Sequence, residues 1–337
     1  MDNSSRFRIS ISIVILLVLS ACAAGLKAQA QSSDDIHIVP RERVEGPKAV
    51  PAAITADNPG DRLRVNVDLV MVPVSVTDSA NRLVTGLGKE AFSLYEGGEA
   101  QQIRHFSTED APISVGVLLD LSKSMTNKID DAREALREFF KTGNPEDEYF
   151  VITFADRPQM LAEAGQPVGI IEDRLASVVP GGHTALLDAI YLGVQKMRRA
   201  RYSRRALLII SDGGDNHSRF NGGEIRRLVQ EADVQIYAIG IFDSIFKTPE
   251  EHAGKRLLTD ITDATGGRTV TLSNPSMLPD IAGEISLELR NQYVLGYRPT
   301  NPIRDRKWRK ISVRLNEAAS TLPLRVHFRR GYAGSSE

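Results

Sequence analysis

The chain has 337 residues, 42% of them hydrophobic and 25% charged, enough apolar material to bury a sizeable core. Its 42 basic residues are balanced by 43 acidic ones, so there is no global positive field and nucleic-acid binding is disfavoured. One cysteine in the whole chain excludes an intramolecular disulfide and leaves stability to core packing.

Arg6 and Arg8 lead into an apolar run, Ile9 to Leu19, of the length of a signal-peptide core and too short for a comfortable membrane span. The expectation is export. Leu19-Ser20-Ala21-Cys22 then resembles the bacterial lipobox, which implies that Cys22 becomes the lipidated first residue of the mature protein. A plain-cleavage reading stands beside it, because Ala28-Gln29-Ala30 fits the small-x-small pattern, though far from the apolar core. Residues 1–22 are thus read as a leader of lipoprotein type. The Pro-, Ala- and charge-rich stretch 23–61, with Pro40, Pro47, Pro51 and Pro59, reads as a flexible tether.

From 62 to 110 the period is that of β-structure. Val65, Val67 and Leu69 alternate with polar residues, and Val70, Val72, Val74 and Val76 alternate after a change of phase, as across a bulge. Asp78-Ser79-Ala80-Asn81 makes a turn. Phe92 to Glu96 and Gln101 to Phe106 read as a hairpin around Gly97-Gly98, and no helix is needed before residue 110.

The central stretch, 111–291, alternates strands with helices. Ser114 to Leu119 is a nearly all-apolar run of strand length, the pattern of a strand buried on both faces of a parallel sheet. Ile129, Ala132, Leu136, Phe139 and Phe140 lie on one helical face. Further strands are expected over Tyr149–Phe154, Gln159–Gly165 as a short edge, Ala206–Ser211, Gln235–Phe242 and Gly267–Leu272. Further helices are expected over Leu186–Met197, Glu224–Ala232, Arg256–Thr265 and 276–290. This is one doubly wound α/β domain with a mostly parallel sheet. After it, from 292 to 334, Tyr293–Tyr297, Ile311–Leu315 and Leu324–Phe328 return to β period. Because two-stranded pieces are marginal alone, the segments before and after the α/β domain are expected to pack into one small β-sandwich.

Chemistry gathers where strands end. Ligand sites of open α/β sheets lie past the carboxyl ends of the strands, and the first central strand stops at Asp120, followed by Ser122 and Ser124. One carboxylate and two hydroxyls at alternate positions offer three hard oxygens to one point, suited to Mg²⁺ or Mn²⁺. Taken alone the string also fits a simple helix cap. Gly181-Gly182-His183-Thr184 precedes one helix, and a second buried strand ends at Asp212, so three loops offer oxygens at the same sheet edge. The set Asp120, Ser122, Ser124, Thr184 and Asp212 resembles the metal-ion-dependent adhesion site of the von Willebrand factor A-type domain family. Residues 63 to 334 also resemble a bacterial family related to it and common in Acidobacteria, through Val67-Asp68-Leu69-Val70-Met71-Val72-Pro73-Val74 and Phe92-Ser93-Leu94-Tyr95-Glu96-Gly97-Gly98.

That resemblance implies a divalent cation, Mg²⁺ or Mn²⁺ with Ca²⁺ as an alternative, held directly by Ser122, Ser124 and usually Thr184, and directly or through water by Asp120 and Asp212. It implies a protein partner that supplies an Asp or Glu carboxylate, and a last helix able to shift when the Thr184 loop moves. The expected function is a non-enzymatic, exported adhesion or binding protein. It would be lipid-anchored at the outer membrane or held in the periplasm, or else secreted, with no membrane contact beyond the anchor. One alternative is an envelope scaffold whose metal is only structural. A metal-dependent hydrolase is the other, weakened by Ser122 standing where a D-x-D nucleophile site needs a second carboxylate and by the lack of any G-x-S-x-G or H-E-x-x-H string. His183 reads as a solvent-facing loop residue or one that tunes the site, and Asp215-Asn216-His217 as a polar turn, with a second ion or orientation of the first as the other reading. The basic cluster Arg198, Arg199, Arg201, Arg204 and Arg205 reads as a solvated helix end, and Arg304, Arg306, Lys307, Arg309 and Lys310 around Trp308 as a hairpin loop.

Overall fold

Alternation of inward valines sets the first described element. The computed structural model describes residues 69–108, 110–212, 214–242, 249–301, 307–316 and 323–334; the leader, Cys22, the tether, Val65, Val67, Arg304 and Arg306 lie outside these. Strand β1 (Val70–Thr77) turns Val72, Val74 and Val76 into a core, each fully buried. After a 3₁₀ turn at Lys89–Ala91, which the sequence reading did not anticipate, come β2 (Phe92–Glu96), β3 (Glu99–Gln101) and β4 (Ile103–Ser107). Far along the chain lie β11 (Tyr293–Tyr297), β12 (Trp308–Leu315), β13 (Arg325–Phe328) and β14 (Gly331–Ala333). They form two antiparallel four-stranded sheets, ordered β13-β1-β11-β4 and β14-β12-β2-β3. Their inner faces share one core that includes Leu94, Ile103, Leu295, Ile311, Val313 and Phe328. This is the sandwich expected from the two flanking segments.

The hairpin expectation needs correction. Only Glu99–Gln101 pairs with β2; from Ile103 the chain crosses to the other sheet and pairs with β11. The reason is aromatic packing: Phe92 lies 5.0 Å from the Tyr293 ring and Phe106 lies 6.1 Å from it, so β4 gains more by joining β11 than by extending the hairpin.

Between the sandwich halves runs the α/β domain. Its sheet is ordered β10-β9-β8-β5-β6-β7, from β5 (Ser114–Asp120), β6 (Glu148–Phe154), β7 (Pro158–Ala162), β8 (Arg205–Ser211), β9 (Gln235–Ile241) and β10 (Thr269–Leu272). All neighbours are parallel except the edge strand β7. Helices α1 (Ile129–Thr142), α2 (Val168–Ala176), α3 (Leu186–Met197), α4 (Gly222–Glu231), α5 (Pro249–Thr265) and α6 (Leu278–Arg290) connect the strands. Two apolar clusters, built on opposite faces of the sheet, bury it on both sides; Val117 and Leu119 belong to one and Leu118 to the other. Strand order reverses at β5, which is flanked by β6 and β8, so a crevice opens at its carboxyl end.

Four local readings change. Helix α2 was not expected, and α5 begins at Pro249 rather than Arg256. Arg204 is no part of a solvated helix end: its guanidinium donates to the carbonyls of Ala111 (2.6 Å) and Leu289 (2.5 Å), clamping the start of β5 to the end of α6. Trp308, Arg309 and Lys310 lie in β12 rather than a loop, and Arg309 pairs with Glu96 at 3.1 Å, both largely buried.

Candidate functional site

The five oxygens singled out in sequence sit on three loops at the carboxyl edge of the sheet. Asp120 ends β5 and is wholly buried. Its Oδ1 accepts from the Ser122 amide at 2.8 Å, and its Oδ2 accepts from the Ser211 hydroxyl at 2.6 Å across the β5–β8 pair. Ser122 and Ser124 flank the first residue of a 3₁₀ turn (Lys123–Met125), and their hydroxyls lie 3.0 Å apart. Neither hydroxyl caps that turn: Ser122 occupies its N-cap position without a side-chain capping bond. The two serine oxygens are therefore directed to each other's vicinity rather than spent on the backbone.

The Thr184 loop is laced to the Asp120 loop by backbone. Gly181 N donates to Leu121 O at 2.7 Å and Lys123 N donates to Gly182 O at 3.2 Å. Gly182 has φ +85°, and a Cβ there would press on the Asp156 carboxylate, which accepts from the His183 amide at 2.8 Å. Thr184 itself is buried and is bracketed from the third loop: Asn216 N and His217 N both donate to Thr184 O at 3.1 Å, and Thr184 N donates to Asn216 Oδ1 at 3.0 Å. Asp215 and Ser218 accept from the amides of Leu187 and Asp188, satisfying the free N-terminal donors of α3. The turn at 215–217 is thus a latch that fixes Thr184.

Electrostatics at this edge is strained by two carboxylates. Burial pushes the Asp120 carboxyl up to about 7, and the neighbouring Asp212 charge adds to the rise, against hydrogen bonds from Ser211 and Ser122. Asp212 is met by Lys128, whose Nζ lies 3.2 Å from its Oδ2. His183 is 65% exposed and its Nδ1 lies 2.8 Å from Asp156, while its ring stacks on His217 with centroids 4.9 Å apart. Among the described residues no group of three or more His, Cys, Asp or Glu side chains is placed to hold a metal, so a cation at this edge would depend on the hydroxyls. The donor set fits a small hard ion: two carboxylates and three neutral oxygens, one carboxylate wholly buried and only partly compensated.

Sequence reasoning missed Lys128, Ser211 and Asp156 as parts of this edge, while Asn216, read as a polar turn beside the site, proves to hold the Thr184 loop. Ser211 was available as the hydroxyl beside Asp212 at a strand end. Lys128 carries no such signal, being 84 residues from the carboxylate it meets.

Residues 115–214 match the family model for the von Willebrand factor type A domain. No curated protein matches this chain. Among solved structures, an aerotolerance-related membrane protein from Bacteroides fragilis is 16% identical, with 52% of this chain and 98% of that one covered and a TM-score of 0.43. A von Willebrand factor type A protein from Catenulispora acidiphila is 12% identical, covering 80% of this chain and 75% of that one, with a TM-score of 0.48. The PilB minor pilin from Streptococcus sanguinis is 13% identical, covering 55% and 63%, with a TM-score of 0.45. At these levels the likenesses say nothing of function.

Proposed function

Residues 115–214 being a von Willebrand factor type A domain, we propose that this is an exported, non-enzymatic binding protein that takes a divalent cation through Asp120, Ser122, Ser124, Thr184 and Asp212 and uses it to hold an acidic side chain of a protein partner. The observation that carries this reading is the buried Asp120 carboxylate, fixed by Ser122 N and Ser211 Oγ, beside two hydroxyls 3.0 Å apart that cap nothing. Mg²⁺ or Mn²⁺ suits these oxygens best, and Ca²⁺ is tolerated where the loops give it more ligands. When bound, such an ion supplies an electrophilic position for one further anionic oxygen. Three of the five protein groups are neutral hydroxyls, so the carboxylates balance the ion's charge without exceeding it. A partner's Asp or Glu carboxylate completes the set.

Absence of catalysis is argued from the side chains. Among the described residues neither Ser122 nor Ser124 hydrogen-bonds to a histidine: the two hydroxyls lie against each other, and His183 Nδ1 meets Asp156. From the sequence reading of 1–22 as a lipoprotein-type leader and 23–61 as a tether, we propose a location at the cell envelope, anchored through Cys22 or in the periplasm, with secretion as the alternative.

A second reading, an envelope scaffold in which the cation only stiffens the loops, draws on the dense bonding between the Thr184 loop and its neighbours. One experiment separates the two. Melting of the mature protein is followed with Mg²⁺, Mn²⁺ and Ca²⁺ beside Asp120→Ala, and capture of envelope proteins is compared with and without chelator. A metal-induced rise confined to wild type, with chelator-sensitive capture of an acidic partner, supports binding. Stabilisation with no partner favours the scaffold, and no stabilisation at all overturns both.

A further inference from the structure

We propose that Lys128 is a tethered cation built into the metal edge, opposing the metal for the Asp212 carboxylate and thereby leaving the loaded site positive toward an acidic ligand. The inference rests on the cation reading above and concerns a residue that reading does not use. Two observations carry it. First, Lys128 Nζ lies 3.2 Å from Asp212 Oδ2 and 3.4 Å from Ile241 O, with the lysine side chain 22% and the aspartate 12% exposed, so the pair is shielded from solvent screening. Second, the lysine stands where a helix least favours it. It occupies the N-cap of α1, makes no side-chain capping bond, and brings a positive charge to the positive end of the helix dipole. Ser, Thr, Asn or Asp would cap that helix better. A local rule broken at a sheet edge rich in ligand oxygens points to a role at that edge rather than in the helix.

The backbone at Lys128 is fixed as well. Lys128 N donates to Met125 O at 2.9 Å and Lys128 O accepts from Ala132 N at 3.0 Å, so the stem starts from a rigid point behind the Ser122–Ser124 turn. From there the ammonium reaches Asp212 and not Asp120, whose oxygens are taken by Ser122 N and Ser211 Oγ. The two carboxylates are therefore unequal: one is held by neutral donors, the other by a permanent cation. With a divalent ion in place, the two carboxylates cancel the ion and the lysine charge is left over. Metal affinity is lowered by this arrangement and attraction for a carboxylate is raised, by the same charge.

The test is Mn²⁺ titration by calorimetry on the mature protein, wild type beside Lys128→Gln and the charge-keeping Lys128→Arg, with melting temperatures of each in chelator. The expected result is Mn²⁺ binding about tenfold tighter in Lys128→Gln, the size of effect of one unit charge near a partly solvated ion. Its melting temperature in chelator falls and is regained on adding Mn²⁺, while Lys128→Arg stays near wild type in both. If Lys128→Gln does not fold, Lys128→Met keeps the packing of the stem and is read in the same way. Unchanged or weaker Mn²⁺ affinity in the neutral variant, whatever happens to its melting, overturns the proposal and leaves Lys128 a structural ion pair; in that case wild-type binding still upholds the cation reading. Binding in Lys128→Gln with none in wild type supports it in its strongest form. Binding in neither overturns it together with the cation reading.

Discussion

Asn216 and Thr184 bond reciprocally: the Asn216 amide donates to the Thr184 carbonyl at 3.1 Å, and the Asn216 side-chain oxygen accepts from the Thr184 amide at 3.0 Å. The loop that carries the third hydroxyl is thus positioned by a residue that sequence reading treats as an ordinary turn. Asn216→Ala leaves the Thr184 amide without its partner in a buried setting, at a cost of about 1–2 kcal/mol. Urea unfolding should show that loss, and Mn²⁺ titration should show weaker binding as the loop loosens. His217→Ala keeps the backbone bond from residue 217 and is expected to change stability little.

Metal-free protein should lose stability as pH rises toward neutrality. The unfolded Asp120 carboxyl titrates near 3.8, while burial and the Asp212 charge raise it to about 7 in the fold. Between those values the folded state binds more protons than the unfolded one, so the contribution of this group is fully present below the lower value and is lost as pH climbs through the upper one. Melting temperature in chelator, followed across that window, should fall, and Asp120→Asn should flatten the fall and melt above wild type at pH about 8, where the neutral amide escapes the charge penalty. With Mg²⁺ present the sign reverses, because the cation needs the carboxylate ionised: the stabilisation it brings should grow over the same range. A wild-type chelator curve that rises from pH 4 to 7 would contradict this account of Asp120.

How much of this edge was readable depended on contiguity. Asp120, Ser122 and Ser124 occupy one loop, and Asp212 closes an all-apolar run, so strand-end logic places them without any long-range information. Lys128 and Asn216 act across 84 and 32 residues, through contacts that only the folded sheet creates. Helix α2 escaped notice for a local reason: it buries only Ile171 and Leu175, leaves Ile170 43% exposed, and starts after Pro167 without a side-chain cap, so its apolar period is too thin to read. The sandwich was legible as alternating valines and isoleucines, but the switch of β4 between sheets was not, since Gln101 and Ile103 keep one alternation through the crossing. Arg204 misled because arginine clusters at helix ends are usually solvated, whereas here two backbone carbonyls take its charge inward.

Gly266 closes α5 where the α/β domain meets the sandwich. Its φ is +87°, and a Cβ would collide with the backbone of Phe328 and Arg329, whose strand end bridges Thr265. Gly266→Ala must therefore both adopt a left-handed conformation and push β13 away. The expected cost is about 2 kcal/mol or more, from strain and lost packing together. Chemical denaturation checks it; a loss under about 0.5 kcal/mol, the level of an ordinary surface change, would mean that the strand end yields freely.

Glu288 on α6 is the other tie between the two halves. Its carboxylate accepts from Arg268 Nε at 2.7 Å and from the Tyr237 hydroxyl at 3.1 Å, with both ion-pair side chains under a tenth exposed. Gln292, two residues past the helix, donates to the Tyr237 oxygen at 3.1 Å and to Ser75 of β1 at 3.3 Å, so the chain of bonds runs from Arg268, just before β10, through α6 and β9 into the sandwich. Burial and the adjacent carboxylate push the Tyr237 phenol upward, keeping it a donor to Glu288. Removing one partner of such a pair strands the other charge in a dry setting. Glu288→Ala should cost about 3 kcal/mol by leaving Arg268 uncompensated, whereas Glu288→Ala with Arg268→Met should recover part of that loss. Recovery in the double variant assigns the penalty to the stranded guanidinium. If the two losses simply add, the network holds the helix by packing and the ion pair is incidental, so α6 would then be freer to shift against β9 than its bonds suggest.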